Sequence, residues 1–334
     1  MSEARISVLL PVRDAEATLS ACLRSIARQS EPRFECVIVD DGSRDASAEI
    51  AADFARRDPR FRVLREARRG LIAALQRGAS DCRAPLVARM DADDCMDHRR
   101  LECQRDALED ATLSAVGCHP RLFPRSALGP GMRAYEQWLI GIDSPRRVRE
   151  EAFVECPIAH PTLMIRRAVL EALPYREVDW PEDYDLLLRL LEARHRVGVV
   201  AAPLLAWRHH PGRLSSNHPR YAQDRFTACK AEFLARGFLA RRDSYLLWGY
   251  GGTGRSLARA LSRHAKRPQA IVEVHPRRLG REIQGAPVIS PAQLGAPPRA
   301  PLLVSVAGAG PRSEIRATLL RMGWREGLDY VCAA

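Results

Sequence analysis

LVARMDADD, residues 86–94, is an apolar run that leads directly into three carboxylates. Its length and composition are typical of a buried parallel strand. Two similar runs come earlier, at Ile6–Pro11 and Phe34–Val39, and the second leads into a turn-forming cluster, DDGS, at residues 40–43. Segments with helical spacing lie between the runs. This alternation predicts a parallel α/β sheet with both acidic clusters at the carboxyl ends of its strands, where ligands bind in such sheets.

The alternation weakens in the middle of the chain and restarts at Ser244. A chain of 334 residues is long enough for two domains of ordinary size. We predict an N-terminal α/β domain over residues 1–220, a linking helix over 221–241 and a smaller α/β domain over 242–334.

Charge and composition exclude some classes of partner. The formal net charge is +11, and nearly all of the basic residues are arginine. Such a surface would attract phosphates, acidic glycans or an anionic membrane face, although a biased genomic base composition would also enrich arginine. The arginines are scattered and aromatic residues make up only 6% of the chain, so nucleic acid is not predicted as a partner.

Cysteine usage and hydropathy bear on location. Nine cysteines without metal-ligand spacing indicate free thiols in a reducing compartment. The longest apolar run, Val197–Trp207, contains a proline and is shorter than the roughly 20 residues that cross a bilayer. No signal peptide precedes the first strand. We therefore predict a cytoplasmic protein, with peripheral contact at the inner membrane face left open.

Three acidic groups could carry chemistry. Asp91 and Asp93 could hold Mg²⁺ or Mn²⁺ through oxygen, the alternative being a solvated acidic turn. The pair at residues 40–41 could accept hydrogen bonds from a nucleobase or a ribose, or could form an Asx-turn and helix cap. Glu182 and Asp183 open a predicted helix, so one could act as a general base, or both could simply complement the helix dipole.

In this order and spacing, these motifs resemble the family 2 glycosyltransferases of GT-A fold. The resemblance also includes AHPT at residues 159–162 and EDYDL at 182–186, and it extends from residue 5 to about residue 215. It implies a mixed, mainly parallel GT-A sheet. It also implies inverting transfer of a sugar from a nucleotide diphosphate donor, UDP-sugar by default, to a glycan or lipid-linked acceptor hydroxyl. Such a reaction serves cell-surface polysaccharide or glycolipid assembly.

The resemblance also implies roles for individual residues. Asp183 would be the catalytic base, with Glu182 beside it. Asp93 would be the principal ligand of Mn²⁺ or Mg²⁺, with Asp91 and Asp94 near it. His160, His209 and His210 match positions near the cleft, and we predict His209 as the metal contact, the alternative being polar core or loop residues. Arginines stand at 68 and 69, where family members often have asparagine, which leaves the donor open. The predicted donor-binding residues are Pro11, Arg13, Asp40, Asp41, Arg69 and Asp91.

The C-terminal domain contains a glycine-rich motif. GYGGTG at residues 249–254 fits G-x-G-x-x-G between a strand and a helix, so Gly249, Gly251 and Gly254 would let backbone amides meet a phosphate. Glu273 stands about 20 residues on, where an acid is expected, but we predict His275 at the strand tip. The segment resembles the Rossmann-like domain that precedes some bacterial sugar acyltransferases, which handles nucleotide sugars.

Only about 90 residues remain for this domain, so we predict half of a full dinucleotide fold. It would be an accessory nucleotide-binding module, or else a degenerate scaffold or a dimerisation interface, which leaves a homo-oligomer open.

Two other functions fit parts of the sequence. A non-catalytic nucleotide-sugar-binding protein is disfavoured by the intact Asp93 and Asp183. A bifunctional enzyme with C-terminal NAD(P)-linked chemistry is disfavoured by the missing second half and by the lack of an acid–base pair for hydride transfer.

Overall fold

The computed structural model describes residues 3–297 and 300–334. The chain divides into two compact units. Unit 1 contains the described residues up to Val148 together with Pro157–Val178 and Arg189–Asn217. Unit 2 contains Arg149–Cys156, Asp179–Leu188 and His218–Ala334. The helix predicted as a linker spans Gln223–Arg236 and belongs to unit 2.

Unit 1 is built on a sheet whose strands are β1 (Ile6–Val12), β2 (Phe34–Asp41), β3 (Phe61–Glu66), β4 (Leu86–Arg89), β5 (Cys95–Met96), β6 (Leu113–Phe123), β7 (Met164–Arg166) and β8 (Arg196–Arg208). Their order is β3-β2-β1-β4-β7-β6-β8-β5. The first four strands are parallel neighbours, whereas β7 is antiparallel to both β4 and β6. The prediction of a mixed, mainly parallel sheet is confirmed.

Nine α-helices precede residue 218 in the described part of the chain, and two of them, α6 and α8, lie partly in unit 2. They are α1 (Glu16–Ala27), α2 (Ser47–Arg57), α3 (Leu71–Asp81), α4 (Arg100–Ala107), α5 (Pro130–Ile140), α6 (Pro145–Glu151), α7 (Arg167–Ala172), α8 (Glu182–Glu192) and α9 (Leu214–Asn217). All seven residues of β1 are buried, because helices cover the sheet. The packing is tightest at Gly78 of α3, where a Cβ atom would lie 2.3 Å from the side chain of Leu9. Because the same Cβ would also lie 2.8 Å from the side chain of Val39, α3 packs directly on both β1 and β2.

Two parts of unit 1 lie outside the strand and helix alternation of the sequence analysis. His160–Thr162 forms a 3₁₀ turn, and β7 follows it. Pro161 has no N–H to donate to a strand ladder, which favours the turn. The apolar run at Val197–Trp207 forms most of β8, a strand that was not predicted, and it pairs in parallel with β6.

None of the described helices is long and apolar enough to cross a membrane.

Unit 2 contains the strands β9 (Ser244–Trp248), β10 (Arg267–Val272), β11 (Glu282–Ile283), β12 (Ala286–Ile289), β13 (Leu302–Val304) and β14 (Tyr330–Cys332). Its remaining helices are α10 (Gln223–Arg236), α11 (Gly252–Ser262), α12 (Pro291–Leu294) and α13 (Ala309–Arg321). The strand order is β11-β12-β10-β9-β13-β14, and all neighbours are parallel except β11 and β12.

The prediction of half a dinucleotide fold is therefore wrong. Strands lie on both sides of β9, and β12-β10-β9-β13-β14 corresponds to the order 3-2-1-4-5 of doubly wound sheets. The second half escaped prediction because β13 and β14 have only three residues each, too few to show a periodic pattern. The side chains of β9 alternate between two cores, with Leu247 facing α11 and Trp248 facing α13.

Candidate active site

The acidic turn after β4 brings three carboxylates together in unit 1. The Met90 amide donates to the carbonyl of Leu9 at 3.1 Å, which extends the sheet contact to the start of the turn. One ligand oxygen from each of Asp91, Asp93 and Asp94 lies within 4.8 Å of the others. This spacing suits a single hard cation that takes oxygen ligands.

The charge balance of this cluster favours a cation. Burial, together with the carboxylates of Asp91 and Asp93, raises the pKa of Asp94 well above its usual range. One Asp94 oxygen accepts from the Arg208 amide at 2.7 Å, whereas Oδ2 is buried and has no hydrogen-bond partner among the described residues. Arg89 forms an ion pair with Asp91. A buried oxygen without a partner beside two further carboxylates fits a Mn²⁺ or Mg²⁺ ion.

The two adjacent histidines after β8 differ in their contacts. His210 places Nε2 at 2.9 Å from Oδ2 of Asp93. The His209 amide donates to the carbonyl of Phe123 at 2.7 Å, and its buried Nδ1 has no hydrogen-bond partner in the described part of the chain. The contact with the acidic cluster is thus made by His210, while His209, the residue predicted from the sequence, remains a prediction as a metal ligand.

Two arginines that the sequence analysis did not single out lie at the same cluster. The guanidinium of Arg208 stacks over Phe123 at 4.5 Å and donates through Nε to the backbone carbonyl of Asp93 at 2.7 Å. Arg213 stacks over the ring of Trp207 at 4.3 Å, and its charge acts to lower the pKa of Asp94. Their only sequence signal was proximity to the histidine pair in WRHHPGR, residues 207–213.

The DDGS turn after β2 is tied to the loop before α3. The buried Asp41 carboxylate accepts from the backbone amides of Arg69 at 2.6 Å and Gly70 at 2.9 Å. Arg13 donates to the carbonyl of Asp41 at 2.9 Å, from the segment just after β1. Asp40 accepts from the Ser43 amide, three residues on, at 3.2 Å, which closes the DDGS turn.

This arrangement brings most of the predicted donor-binding residues of unit 1 into one connected set. Pro11 lies within the buried strand β1, opposite Val39 of β2. A Cβ atom on Gly42 would lie 2.9 Å from the Arg68 amide, so only glycine allows the turn to approach the loop this closely. The exposed residues Arg68 and Arg69 therefore have their backbone beside the carboxyl end of β2.

His160 is a buried neutral residue. Its Nε2 lies 2.7 Å from the hydroxyl of Tyr175. Burial, with a smaller contribution from the charge of Arg89, holds the pKa of His160 well below its usual range. His160 is therefore a buried hydrogen-bonding residue of unit 1, and its burial disfavours the charged form.

Glu182 and Asp183 begin α8 and belong to unit 2. Glu182 is only 2% exposed and accepts from the Tyr221 hydroxyl at 3.0 and 2.8 Å. The side chain of Asp183 is partly exposed, and it accepts from the Tyr184 amide at 2.7 Å. The two neighbouring acids thus have different environments, one buried and one accessible.

The glycine motif of unit 2 connects β9 to α11, as the sequence predicted. Gly249 has a φ of +92°, and a Cβ on Gly254 would lie 2.1 Å from the Gly249 carbonyl oxygen, so both glycines are needed by the turn itself. Glu273 is the first residue after β10 and lies at the strand tip. The prediction of His275 at that tip is wrong, because the strand ends before Glu273 and His275 lies in the following turn.

The sequence model of glycosyl transferase family 2 matches residues 7–173. A curated relative, the putative glycosyltransferase EpsH of Bacillus subtilis (strain 168), is 28% identical over 233 residues, which is 68% of this chain and 66% of the relative. The chain therefore spans slightly less than two thirds of that protein.

Two solved structures are similar in fold. TarS of S. aureus, residues 1–349, in complex with UDP-GlcNAc, has a TM-score of 0.55 and 18% sequence identity, and the match covers 78% of this chain and 72% of that 1–349 chain. The mannosyltransferase PcManGT of Pyrobaculum calidifontis, in complex with GDP-Man and Mn²⁺, has a TM-score of 0.52 and 18% identity. The match covers 79% of this chain and 74% of the PcManGT chain.

Proposed function

Since the chain belongs to glycosyl transferase family 2, we propose that it transfers a sugar from a nucleoside diphosphate donor to a hydroxyl of a glycan or lipid-linked acceptor. The observation that carries this proposal is the cluster of Asp91, Asp93 and Asp94 with a buried oxygen left without a partner. Binding of UDP-GlcNAc by TarS and of GDP-Man with Mn²⁺ by PcManGT, two proteins of similar fold, supports a donor of this class.

The residues around the cluster would hold the donor's diphosphate. Asp93, Asp91 and Asp94 would ligate Mn²⁺ or Mg²⁺, which when bound neutralises the charge of the departing diphosphate. Arg208 donates to the backbone of Asp93, and Arg213 acts electrostatically on Asp94; guanidinium groups match phosphate oxygens bidentately. The donor's nucleoside would bind at the DDGS turn, with Arg13 and the loop at Arg69 around it.

Asp183 would act as the base. It would take the proton from the acceptor hydroxyl while that oxygen bonds to the anomeric carbon. The bond from the anomeric carbon to the diphosphate oxygen breaks on the opposite face, so the nucleoside diphosphate leaves and the configuration inverts. The partial exposure of Asp183 supports this role. The burial of Glu182 under Tyr221 supports a positioning role for Glu182.

Calorimetric titration of the full chain with UDP-GlcNAc, UDP-glucose and GDP-mannose tests the donor site. We expect binding of at least one donor that requires Mn²⁺ and is lost in Asp93→Asn. Asp53→Asn is the matched control, because Asp53 is an exposed carboxylate of α2 far from the acidic turn in sequence. Equal donor binding by the Asp93 variant, or no donor binding by the folded wild type, would overturn the proposal.

Release of nucleoside diphosphate from the bound donor tests the base. Asp183→Asn should keep the donor affinity and lose about 10²–10⁴-fold in turnover, because only the proton acceptor is removed. Asp224→Asn is the control, since Asp224 is an exposed acid in the first turn of another helix of the same unit. Turnover by Asp183→Asn within a few-fold of wild type would show that another group is the base.

A further inference from the structure

The loop between β9 and α11 contains two glycines that the fold itself does not require. Gly251 has an ordinary φ of −75°, and a Cβ atom on Gly251 or Gly252 would have no neighbour within 4 Å. Alanine at either position would lose less backbone entropy on folding, and at Gly252, the first residue of the helix, it would also favour the helix. Bare backbone at the start of a helix is, however, what allows a phosphate to approach the amides closely.

The start of α11 also carries uncompensated positive charge. The first turn of α11 contains no acidic residue, although the positive end of the helix dipole lies there. Arg255 and Arg259 project from the same face as Gly252 and Ser256, along an open groove of about 430 Å³. Neither arginine has a side-chain ion pair within the described ranges 3–297 and 300–334. A bound anion would offset the positive end of the helix dipole and the nearby charge of Arg255, whereas Arg259 lies in the last turn of the helix.

A buried hydroxyl without a partner lies under the same helix turn. Ser305 follows β13, the neighbour of β9, at the point where the strand order reverses. The residue is 2% exposed, and no described residue hydrogen-bonds its Oγ. Its Cβ lies 3.8 Å from the place where a Cβ on Gly254 would be, and its carbonyl accepts from Thr253 Oγ1 at 3.1 Å.

The direction of the Ser305 side chain follows from strand alternation. Leu303 packs in the core that includes Leu257 of α11, and residues two apart on a strand face the same side. Ser305 is therefore directed at the first turn of α11, where the amides have no intrahelical acceptors. An unpaired hydroxyl and free amides converge on one place.

We propose that unit 2 binds a nucleotide through its diphosphate group at the start of α11, in a site separate from the donor site of unit 1. The diphosphate lies on the amides of Gly251–Thr253, and the Ser305 hydroxyl completes the set of donors. Glu273, at the tip of β10, accepts from the ribose hydroxyls. Arg278 holds Glu273 at 2.9 Å and donates to the Tyr250 carbonyl at 3.3 Å, which joins the strand tip to the loop.

The group that this site would recognise is a ribonucleoside diphosphate, which is present in both dinucleotides and nucleotide sugars. The test uses the full chain carrying Asp93→Asn, in EDTA, so that metal-dependent binding at unit 1 does not contribute. NAD⁺, UDP-GlcNAc and inorganic pyrophosphate are titrated separately by calorimetry. Saturable binding of NAD⁺ identifies a dinucleotide site, and saturable binding of UDP-GlcNAc identifies a nucleotide-sugar site, and either supports the proposal.

The glycines allow a test in which binding and folding separate. The double substitution Gly251→Ala and Gly252→Ala should weaken nucleotide binding at least ~10-fold while the chain stays folded, because the added methyl groups meet no neighbour within 4 Å. Gly131→Ala is the matched control, since a Cβ on Gly131 of α5 also has no neighbour within 4 Å. Ser305→Ala should likewise fold normally and reduce the rise in melting temperature that the nucleotide produces.

Three results would overturn the proposal. They are no binding of either nucleotide by the Asp93→Asn chain, unchanged affinity in the double glycine variant, and binding of pyrophosphate without either nucleotide. Loss of binding in the glycine variant assigns the nucleotide to unit 2, whether or not Asp93 takes part in donor binding at unit 1. A negative result for the unit 2 site can therefore be told apart from a negative result for the proposed transferase activity.

Discussion

The imidazole of His210 lies 2.9 Å from the carboxylate of Asp93, although 117 residues separate them in the chain. The contact joins the segment after β8 to the acidic turn after β4. A group that hydrogen-bonds a metal-binding carboxylate fixes its orientation and tunes its affinity. His210 is therefore placed to influence any cation held by Asp93.

Replacement of His210 should weaken binding of the cation. We expect His210→Ala to lower the Mn²⁺ affinity about 10–100-fold, because the Asp93 carboxylate loses its orienting partner. His209→Ala is the matched comparison, since the neighbouring ring does not contact the cluster carboxylates. Calorimetric titration with Mn²⁺ measures both. A larger loss in His209→Ala would show that the histidine predicted from the sequence is the ligand.

Asp41 should matter for both stability and donor binding. Asp41→Ala removes the acceptor of the Arg69 and Gly70 amides, so we expect a loss of about 2 kcal/mol in the free energy of unfolding. Donor affinity should fall as well, because the loop that carries Arg69 loses its anchor. Glu66→Ala, which removes a half-buried carboxylate at the end of β3, is the control. Wild-type stability and affinity in Asp41→Ala would contradict this.

The pH dependence of stability should show the lowered pKa of His160 in the folded chain. Its pKa in the folded chain is lowered by burial, so below the ordinary value of about 6.5 the unfolded chain binds a proton that the folded chain does not. Stability is therefore lost as the pH falls from about 6.5 toward the lowered pKa, by up to about 1.4 kcal/mol per pH unit. Urea denaturation of wild type and His160→Gln between about pH 7 and about pH 5 measures the difference.

The variant should show a shallower pH dependence than wild type, and His275→Gln, at an exposed histidine, should match wild type. Parallel pH profiles for wild type and His160→Gln would mean that His160 takes up its proton in the folded chain.

A buried ion network should dominate the stability of unit 2. Glu151 is 1% exposed and lies 2.7 Å from Arg316, which also pairs with Glu326 at 2.7 Å. Glu151→Ala should cost about 3–5 kcal/mol, because Arg316 and the buried Arg312 both lose their ion pair with Glu151. Glu171→Ala, at an exposed pair with Arg167, should cost less than about 1 kcal/mol. Chemical denaturation compares them, and equal losses would contradict the network's role.

Sequence patterning was sufficient for the elements with strong local periodicity. The strands β1, β2 and β4 are continuous apolar runs, and α1 buries Leu19, Leu23 and Ile26 on one face, as its spacing predicted. The acidic turns were found because they follow such strands, and carboxyl ends of parallel strands meet at one edge. The linked order of these motifs was also sufficient to indicate the family.

Local patterns were not sufficient where an element depends on a distant partner. β8 reads as an unassigned apolar run until β6 pairs with it, and β13 and β14 are too short to show a period. Because β13 and β14 lie beside β9, the sheet is doubly wound instead of the half-fold that the sequence predicted. The same placement brings Ser305, which follows β13, under α11.

The sequence by itself determined which residues could bind a cation, a phosphate or a proton, because those capacities belong to side-chain chemistry and strand-end position. Only the tertiary structure decided which of them meet. In the folded chain His210, and not its neighbour His209, contacts Asp93, and Arg208 lies at the acidic turn. The Asp94 Oδ2 atom has no partner among the described residues. The physical reason is that such contacts join segments about a hundred residues apart, whose relative placement is set by strand pairing and core packing, not by local propensity.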